Sequence, residues 1–264
     1  MTLAARALAF GFPERRVGEG VELSLEAGEV TCLLGPNGSG KTTLLRTLLG
    51  VLAPLAGEVA VDGAALSTLA PRDRALRLAY VPQAAETYFD FSVREMVEMG
   101  RTAHRGIFAR ASAADRAVAQ RALERLGIEA LAERPIQRVS GGERQLVLIA
   151  RAIATESRVL LMDEPTANLD FANQSRVLDE IARLRDAGTA ILFTTHHPDH
   201  ALRVADRAIL LRAGRVLASG PTASAVNSQN LSALYGRAVD VVEVPSAHGL
   251  PVRVCVARAG PGFD

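Results

Sequence analysis

The chain has 264 residues, of which 48% are hydrophobic and 22% charged, a balance typical of a globular protein with a sizeable apolar core. A formal net charge of +1 and an isoelectric point near 7.9 argue against nucleic acid as a partner, because that function normally shows as a basic patch or a high isoelectric point. No apolar run approaches the ~20 residues of a membrane span. Any work at a membrane is therefore expected to go through a partner.

Two cysteines, Cys32 and Cys255, are too few for a disulfide framework and predict small core-filling side chains in a reducing compartment. The first residues lack a basic region followed by an apolar one, as a secretory signal would have. We therefore expect the chain to stay in the cytoplasm.

The amino-terminal residues predict a small antiparallel sheet. Apolar residues alternate or cluster from Thr2 to Phe12 and from Val21 to Leu25, with Pro13 and Gly18 to Gly20 as breaks. Phe12 has two interpretations, a ring on which an adenine stacks or an ordinary core aromatic at a strand end.

A phosphate-binding loop comes next, between a predicted strand, Val30 to Leu34, and a predicted helix, Leu44 to Leu49. Its sequence matches G-x-x-x-x-G-K-[ST] in the strand-loop-helix context that the motif requires. Backbone N–H groups of such a loop point at an anion, a lysine reaches the β- and γ-phosphates, and a hydroxyl binds Mg²⁺. The predicted nucleotide-binding residues of the loop are Gly35, Pro36, Asn37, Gly38, Ser39, Gly40, Lys41, Thr42 and Thr43.

Lys41 is the one lysine in the sequence, and every other side-chain cation is an arginine or histidine. A compact ammonium has thus been kept at the position where a phosphate-binding lysine is expected. A glycine-rich turn that only caps a helix would also fit a partial match to the motif.

Strands are predicted at Gly57 to Val61 and Leu78 to Val81, the second leading into Pro82-Gln83. From Phe91 to Arg138 the apolar residues recur at helical spacing, which predicts a helical insertion at about residues 84–138. A further helix is predicted from Glu143 to Ala154.

The apolar strand Val159 to Met162 ends in Asp163-Glu164. Ligands of parallel sheets lie at the carboxyl ends of the strands, so this acidic pair is expected beside the phosphate loop. We predict that Asp163 holds Mg²⁺ and that Glu164 polarises the water that attacks the γ-phosphate. By themselves, two acids after an apolar run are usually a solvated strand end.

The remaining elements alternate in the same way. We predict a helix at Phe171 to Asp186, a strand at Thr189 to Thr195 ending at His196, and a hairpin within 208–218. A short helix is predicted at Ser228 to Tyr235, followed by two strands that could pair, 239–244 and 252–256. The fold class is therefore α/β with a mostly parallel sheet covered on both faces, a small antiparallel sheet and a helical subdomain.

These motifs together resemble those of the ATP-binding subunits of ABC transporters, in the family's order, from about Leu3 to about Tyr235. The resemblance predicts an ATP-binding domain over residues 1–235 and leaves a carboxyl-terminal extension over 236–264, for which we expect a β-hairpin. The phosphate loop resembles the Walker A motif, residues 159–164 the Walker B motif, residues 80–83 the Q-loop and residues 139–145 the signature motif. Ala167 to Asp170 resembles the D-loop and His196 the switch histidine. The departures are Phe12 for a tyrosine, and Val139 and Glu143 for the common leucine and glutamine.

The resemblance implies a P-loop ATPase that works as a homodimer with ATP and Mg²⁺. Two ATP molecules lie between the copies, with the signature residues of one copy on the γ-phosphate held by the other. His196 contacts the γ-phosphate, and Gln83 senses nucleotide and relays to the permease. The implied residues, by role, are Glu164, His196 and Gln83 for catalysis; Phe12 for adenine; Ser140, Gly141, Gly142 and Glu143 for the signature in trans; Asp170 for the D-loop; and Thr42, Gln83 and Asp163 for Mg²⁺.

Within the family, Met99 to His104, Asp170 to Gln174 and Thr194 to Pro198 resemble stretches of metal-chelate importers for iron siderophores, haem or cobalamin. The resemblance implies an ATPase on the cytoplasmic face of the inner membrane, with two permease subunits and a periplasmic or extracellular substrate-binding protein. An importer of molybdate or tungstate remains the alternative, because no residue here contacts the cargo.

Three other interpretations fit parts of the sequence. A soluble ABC ATPase of DNA repair or translation usually has a long coiled coil or two cassettes in one chain, and neither pattern is in this sequence. A GTPase would need a lysine in its guanine motif, and the sole lysine is Lys41. The run from His196 to His200 suggests a metal site, but a loop after a strand scatters such side chains.

Overall fold

The computed structural model describes residues 3–83, 90–106, 109–246, 249 and 251–258. Its strands are β1 Leu3–Phe12, β2 Arg15–Leu25, β3 Val30–Leu34, β4 Ala56–Val61, β5 Ala64–Ala65, β6 Leu78–Val81, β7 Val159–Met162, β8 Ala190–Thr195, β9 Arg207–Arg212, β10 Arg215–Pro221, β11 Val239–Val244 and β12 Val252–Ala257. Its α-helices are α1 Lys41–Leu48, α2 Pro71–Arg77, α3 Val93–Glu98, α4 Thr102–Arg105, α5 Ala113–Arg125, α6 Gly141–Ala154, α7 Phe171–Asp186, α8 Pro198–Val204, α9 Thr222–Ala225 and α10 Ser228–Tyr235.

The central sheet has the strand order β10-β9-β3-β8-β7-β6. Its inner pairs are parallel, and β10 runs antiparallel to β9 at one edge. Strands β3, β7 and β8 are buried along their whole length, as expected for continuous apolar runs covered on both faces. The predicted α/β fold class is confirmed, and the carboxyl ends of β3, β7 and β8 meet at one edge.

Two apolar clusters lie on the two sides of this sheet. Cys32 and Leu34 of β3 belong to the cluster that also contains α6 and α7, and Leu33 belongs to the cluster beneath α1 and the second sheet. Successive side chains of a strand point to opposite faces, so one short strand contributes to both clusters.

The second sheet is antiparallel, in the order β2-β1-β4-β5. The predicted break at Gly18 to Gly20 is wrong, because β2 continues through it. A Cβ on Gly18 would lie 2.3 Å from the Gly214 carbonyl oxygen and 2.4 Å from the Phe10 ring. Glycine here permits close packing of the two sheets rather than a turn.

The helices between β6 and β7 pack on α6. Helices α3 and α5 contact α6, and short 3₁₀ turns join them. Residues 84–89, at the predicted start of the helical subdomain, lie outside the described residues. The predicted helix from Glu143 begins two residues earlier, at Gly141, because Ser140 caps it.

After the central sheet, α9 and α10 lead into β11 and β12, which pair antiparallel from Val239 opposite Ala257 to Val244 opposite Val252. This hairpin packs on α8 and α10. Within the described ranges, none of the helices combines the length and the apolar character that crossing a bilayer demands.

Candidate nucleotide site

The loop between β3 and α1 has a tightly curled backbone that packs closely on its neighbours. Gly38 and Gly40 have φ of +79° and +101°, a left-handed conformation that glycine adopts without steric cost. A Cβ on Gly40 would also lie 2.8 Å from Val17 Cγ1. The Gly35 N–H donates to the Thr195 carbonyl at 3.2 Å, which joins the loop to the end of β8.

Lys41, the first residue of α1, points back into this loop. Its Nζ donates to the carbonyls of Gly35 at 2.7 Å and Pro36 at 3.2 Å, and lies 3.2 Å from Glu164 Oε1. The residue is 6% exposed. A buried ammonium on a glycine-rich loop at a helix amino terminus concentrates positive potential there, so an anion is favoured.

The acidic pair follows β7, and a residue of the neighbouring strand holds both members. The Thr194 hydroxyl donates to Asp163 Oδ1 at 2.7 Å and accepts the Glu164 N–H at 2.9 Å. Glu164 has φ of +47°, a conformation that costs a non-glycine residue about 1 kcal/mol or more and that often occurs at functional sites. The role of Thr194 could not be predicted from the sequence, because it depends on how β7 and β8 pair.

His196 lies directly after β8 and faces the acidic pair. Its Nδ1 is 3.0 Å from Glu164 Oε2, and its side chain is 38% exposed. Glu164 therefore bridges Lys41 on one side and His196 on the other, and the three side chains form a charge-assisted chain at the mouth of the loop.

The neighbouring histidines, His197 and His200, do not join this chain of contacts. His200 Nδ1 lies 3.2 Å from the Thr166 hydroxyl, and burial, with His197 adding to it, lowers the pKa of His200 to about 4. Burial also lowers the pKa of His197. In the described part of the chain, no group of three or more His, Cys, Asp or Glu side chains is placed to hold a metal ion.

A cavity of about 420 Å³ opens over the loop. Phe12 borders it and is 44% exposed, so the core-aromatic interpretation of Phe12 is wrong. Arg15 and Val17 border it as well and were missed from sequence; Arg15 lies opposite Phe12 in the β1–β2 register, and a predicted hairpin could have indicated it. The predicted residues that line the cavity are Phe12, Asn37, Gly38, Ser39, Gly40, Lys41, Thr42, Thr43, Gln83, Glu164 and His196.

Three predicted residues lie next to the cavity rather than on its lining. Gly35 and Pro36 hold Lys41 through their carbonyls, and Asp163 is 2% exposed behind Thr194. The polar lining also holds a group in need of a ligand, because the buried Ser39 Oγ has no hydrogen-bond partner among the described residues. A buried hydroxyl in this state is costly unless something binds it.

The signature residues and Asp170 lie elsewhere on the chain. Ser140 is exposed and caps α6, in a capping box with Glu143. Hydrogen bonds from Ser140 lower the pKa of Glu143. Asp170 is exposed and caps α7 through the Asn173 N–H at 2.8 Å. None of these residues borders the cavity of its own chain; they are Ser140, Gly141, Gly142, Glu143 and Asp170.

Comparison with known proteins agrees with this arrangement. Residues 19–167 match the family model described as "ABC transporter". An uncharacterised ABC transporter ATP-binding protein of Haemophilus influenzae is 40% identical over 235 residues, covering 89% of each chain. The iron(3+)-hydroxamate import ATP-binding protein FhuC of Bacillus subtilis is 35% identical over 245 residues, covering 92% of this chain and 91% of that one.

A solved structure is similar over nearly the whole length. It is described as an inward-facing conformation of a putative metal-chelate type ABC transporter, and it is 33% identical with a TM-score of 0.85, covering 98% of this chain and 97% of that one. Taken with the phosphate loop, the acidic pair and the family match, this places the chain in the ABC transporter family, among its nucleotide-binding, ATP-hydrolysing chains.

Proposed function

We propose that the chain hydrolyses ATP to power the import of a metal chelate, of the iron-siderophore, haem or cobalamin kind, through a membrane permease. The observation that carries the hydrolytic part is the chain of contacts from Lys41 through Glu164 to His196 at the mouth of the phosphate loop. The metal-chelate part is supported by the names of the similar import protein and solved transporter.

Each group in the cavity has a task in this chemistry. The loop N–H groups and Lys41 stabilise the phosphates of ATP, and the Phe12 ring stacks on the adenine. Glu164 accepts a proton from the water whose oxygen bonds to the γ-phosphorus, while the bond from that phosphorus to the bridging oxygen breaks. His196 donates to the γ-phosphate oxygens and holds Glu164 in place.

The oxygen-rich side of the cavity fits a magnesium ion. Thr42 and Gln83 border the cavity with a hydroxyl and an amide. Asp163 has a buried carboxylate, directly precedes the cavity residue Glu164, and donates its N–H to the Val81 carbonyl at 2.8 Å, two residues before Gln83. Hard oxygen donors of this kind suit Mg²⁺. When bound, the ion would neutralise charge on the phosphates.

The exposed signature residues support a second copy of the chain as partner. Ser140, Gly141 and Gly142 open α6 on the surface, and a helix amino terminus suits an anion held by another protomer. We propose a homodimer that acts beneath two permease subunits, on the cytoplasmic face of the inner membrane, with a substrate-binding protein delivering the chelate.

Uptake in cells tests this proposal. Cells that lack the chain would be complemented with wild type or Glu164→Gln and supplied with labelled ferric siderophore, haem, cobalamin or molybdate. Loss of uptake of one chelate, restored by wild type and not by Glu164→Gln, is expected. Loss of molybdate uptake alone would favour the oxyanion importer, and unimpaired uptake of all four would contradict import of these cargoes.

A further inference from the structure

The backbone carbonyl of His196 accepts a hydrogen bond from a residue far along the chain. Tyr235, the last residue of α10, donates its hydroxyl to the His196 carbonyl at 2.9 Å. The carbonyl belongs to the bend between β8 and α8, where no strand ladder fixes the backbone. The N–H of the same peptide, which belongs to His197, donates to Thr195 Oγ1 at 3.0 Å. With the Tyr235 bond, both polar groups of the peptide next to the histidine Cα are paired, which limits its rotation and so constrains where the imidazole can lie.

Tyr235 is itself rigidly placed. Leu231 and Leu234 of the same helix are fully buried, and the Tyr235 ring packs on the same apolar cluster. Gly236 ends the helix with φ of +67°, a left-handed cap typical of a defined helix end. Burial raises the pKa of the Tyr235 hydroxyl, so the group stays a donor.

A second contact holds the same segment three residues later. The Cys255 N–H of β12 donates to Asp199 Oδ1, in the first turn of α8, at 2.8 Å. Helix α10 and the β11–β12 hairpin are joined through Ser232, whose hydroxyl accepts the Val239 N–H at 3.0 Å. The segment from His196 to Asp199 is thus tied at both ends to one carboxyl-terminal unit.

We propose that Tyr235 is a positioning residue for ATP hydrolysis, which acts through the His196 carbonyl to keep the imidazole against Glu164 and the γ-phosphate. This inference rests on the proposed function. It gives the carboxyl-terminal helix and hairpin a direct mechanical connection to the reacting end of the nucleotide.

Tyr235→Phe tests the contact, because it removes the hydroxyl and keeps the ring. Because the variant loses one neutral hydrogen bond, we expect kcat to fall by roughly three- to tenfold while the KM for ATP stays nearly unchanged. In His196→Ala, where the positioned imidazole is missing, single-turnover hydrolysis should not fall further on adding Tyr235→Phe. Asn230→Ala, which removes a side-chain amide of the same helix that donates to the Ala225 carbonyl at 2.9 Å, should leave kcat unchanged even if it lowers the melting temperature.

A nucleotide-free readout separates this inference from the proposed function. The imidazole signals of His196 in a nitrogen-15 NMR spectrum, assigned by their loss in His196→Ala, should shift in Tyr235→Phe and not in Asn230→Ala. An unmoved His196 signal, an unchanged kcat, or an equal loss with and without His196 would overturn the positioning role. A wild-type chain that hydrolyses no ATP would overturn the proposed function, while the NMR comparison would still decide whether Tyr235 orients the imidazole.

Discussion

At the scale of single residues, the site depends on a few buried polar groups that stabilise one another. Glu164 is 7% exposed and faces a cation on one side and an imidazole on the other. Isolated, such a carboxylate would be expensive to bury; paired, it is held in one place. Changes at these residues should therefore affect chemistry far more than changes at surface charges.

Lys41→Ala should abolish tight ATP binding. The change removes a buried ammonium and leaves Glu164 without its cation, and charge-assisted bonds of this kind are worth about 1.5–3 kcal/mol each, so we expect at least a roughly tenfold loss in affinity. Isothermal titration with ATP measures it. Arg6→Ala, which removes an exposed cation paired with Glu58, is the matched control, and equal affinities in the two variants would contradict a phosphate role for Lys41.

His200 should make the free energy of unfolding depend on pH. Its pKa is lowered to about 4 in the folded chain, against 6.5 as the ordinary value, so the unfolded chain binds the proton first. The stabilisation is complete above about pH 6.5 and declines as pH falls towards 4, by on the order of 2 to 3 kcal/mol.

Urea unfolding of the wild type and His200→Asn between pH 7 and 4 measures this contribution. The asparagine carbonyl can accept a bond from Thr166 but does not titrate, so the variant should show a shallower fall in the free energy of unfolding. Parallel curves for wild type and His200→Asn would show that His200 does not titrate in this way.

At the scale of elements, the signature helix begins with a serine that caps it and that is also proposed to contact nucleotide in another copy. Ser140 caps α6 and accepts the Glu143 N–H at 3.2 Å, while Glu143 accepts the Ser140 N–H at 2.7 Å. Ser92 and Glu95 form the same capping box at α3. A third capping box, at α5, pairs Ser112 with an aspartate, Asp115. The two Ser–Glu boxes are therefore chemically alike, one inside the signature motif and one outside it.

Ser140→Ala and Ser92→Ala separate capping from catalysis. Loss of either cap should lower the free energy of unfolding by about 1 kcal/mol, measured by urea denaturation. We expect ATP turnover to fall by at least about tenfold in Ser140→Ala alone, since its hydroxyl is proposed to meet the γ-phosphate of the partner. Similar turnover in the two variants would argue against that contact.

The elements that were predictable from sequence are those whose burial leaves a pattern. Strand β7 is buried on both faces, and its apolar run predicted its bounds. Helix α2 was missed because none of its residues is buried, which leaves no apolar periodicity to detect. The phosphate loop was predictable because its glycines and lysine are local in sequence, whereas Thr194 and Tyr235 act through contacts that depend on how distant segments pair.

At the scale of the whole molecule, the topology brings the phosphate loop, the acidic pair and His196 together and leaves the signature motif and the D-loop away from them. Parallel strands deliver the phosphate loop, the acidic pair and His196 to one edge, as such sheets do. Ser140, Gly141 and Asp170 are exposed, and neither the signature residues nor Asp170 border that cavity. This division supports the proposal that each site is completed by another copy.

Glu164→Gln should retain ATP and accumulate as a closed dimer. The amide keeps the shape of the side chain but cannot accept a proton from water, so hydrolysis should fall by at least about a hundredfold, as for loss of a general base. Gel filtration with ATP and Mg²⁺ should show a dimer in the variant and not in Glu164→Gln carrying Lys41→Ala. A variant that hydrolyses ATP at the normal rate would remove Glu164 from the base role.

The buried ammonium of Lys41 also allows the accessibility of the nucleotide loop to be measured by chemical modification. Because Lys41 is the sole lysine and is 6% exposed, an acylating reagent can reach a side-chain amine only when the loop opens or the fold is lost. The rate at which residue 41 is acylated, followed by mass spectrometry, therefore measures how often Lys41 becomes accessible through loop opening or loss of the fold, with no substitution introduced into the chain.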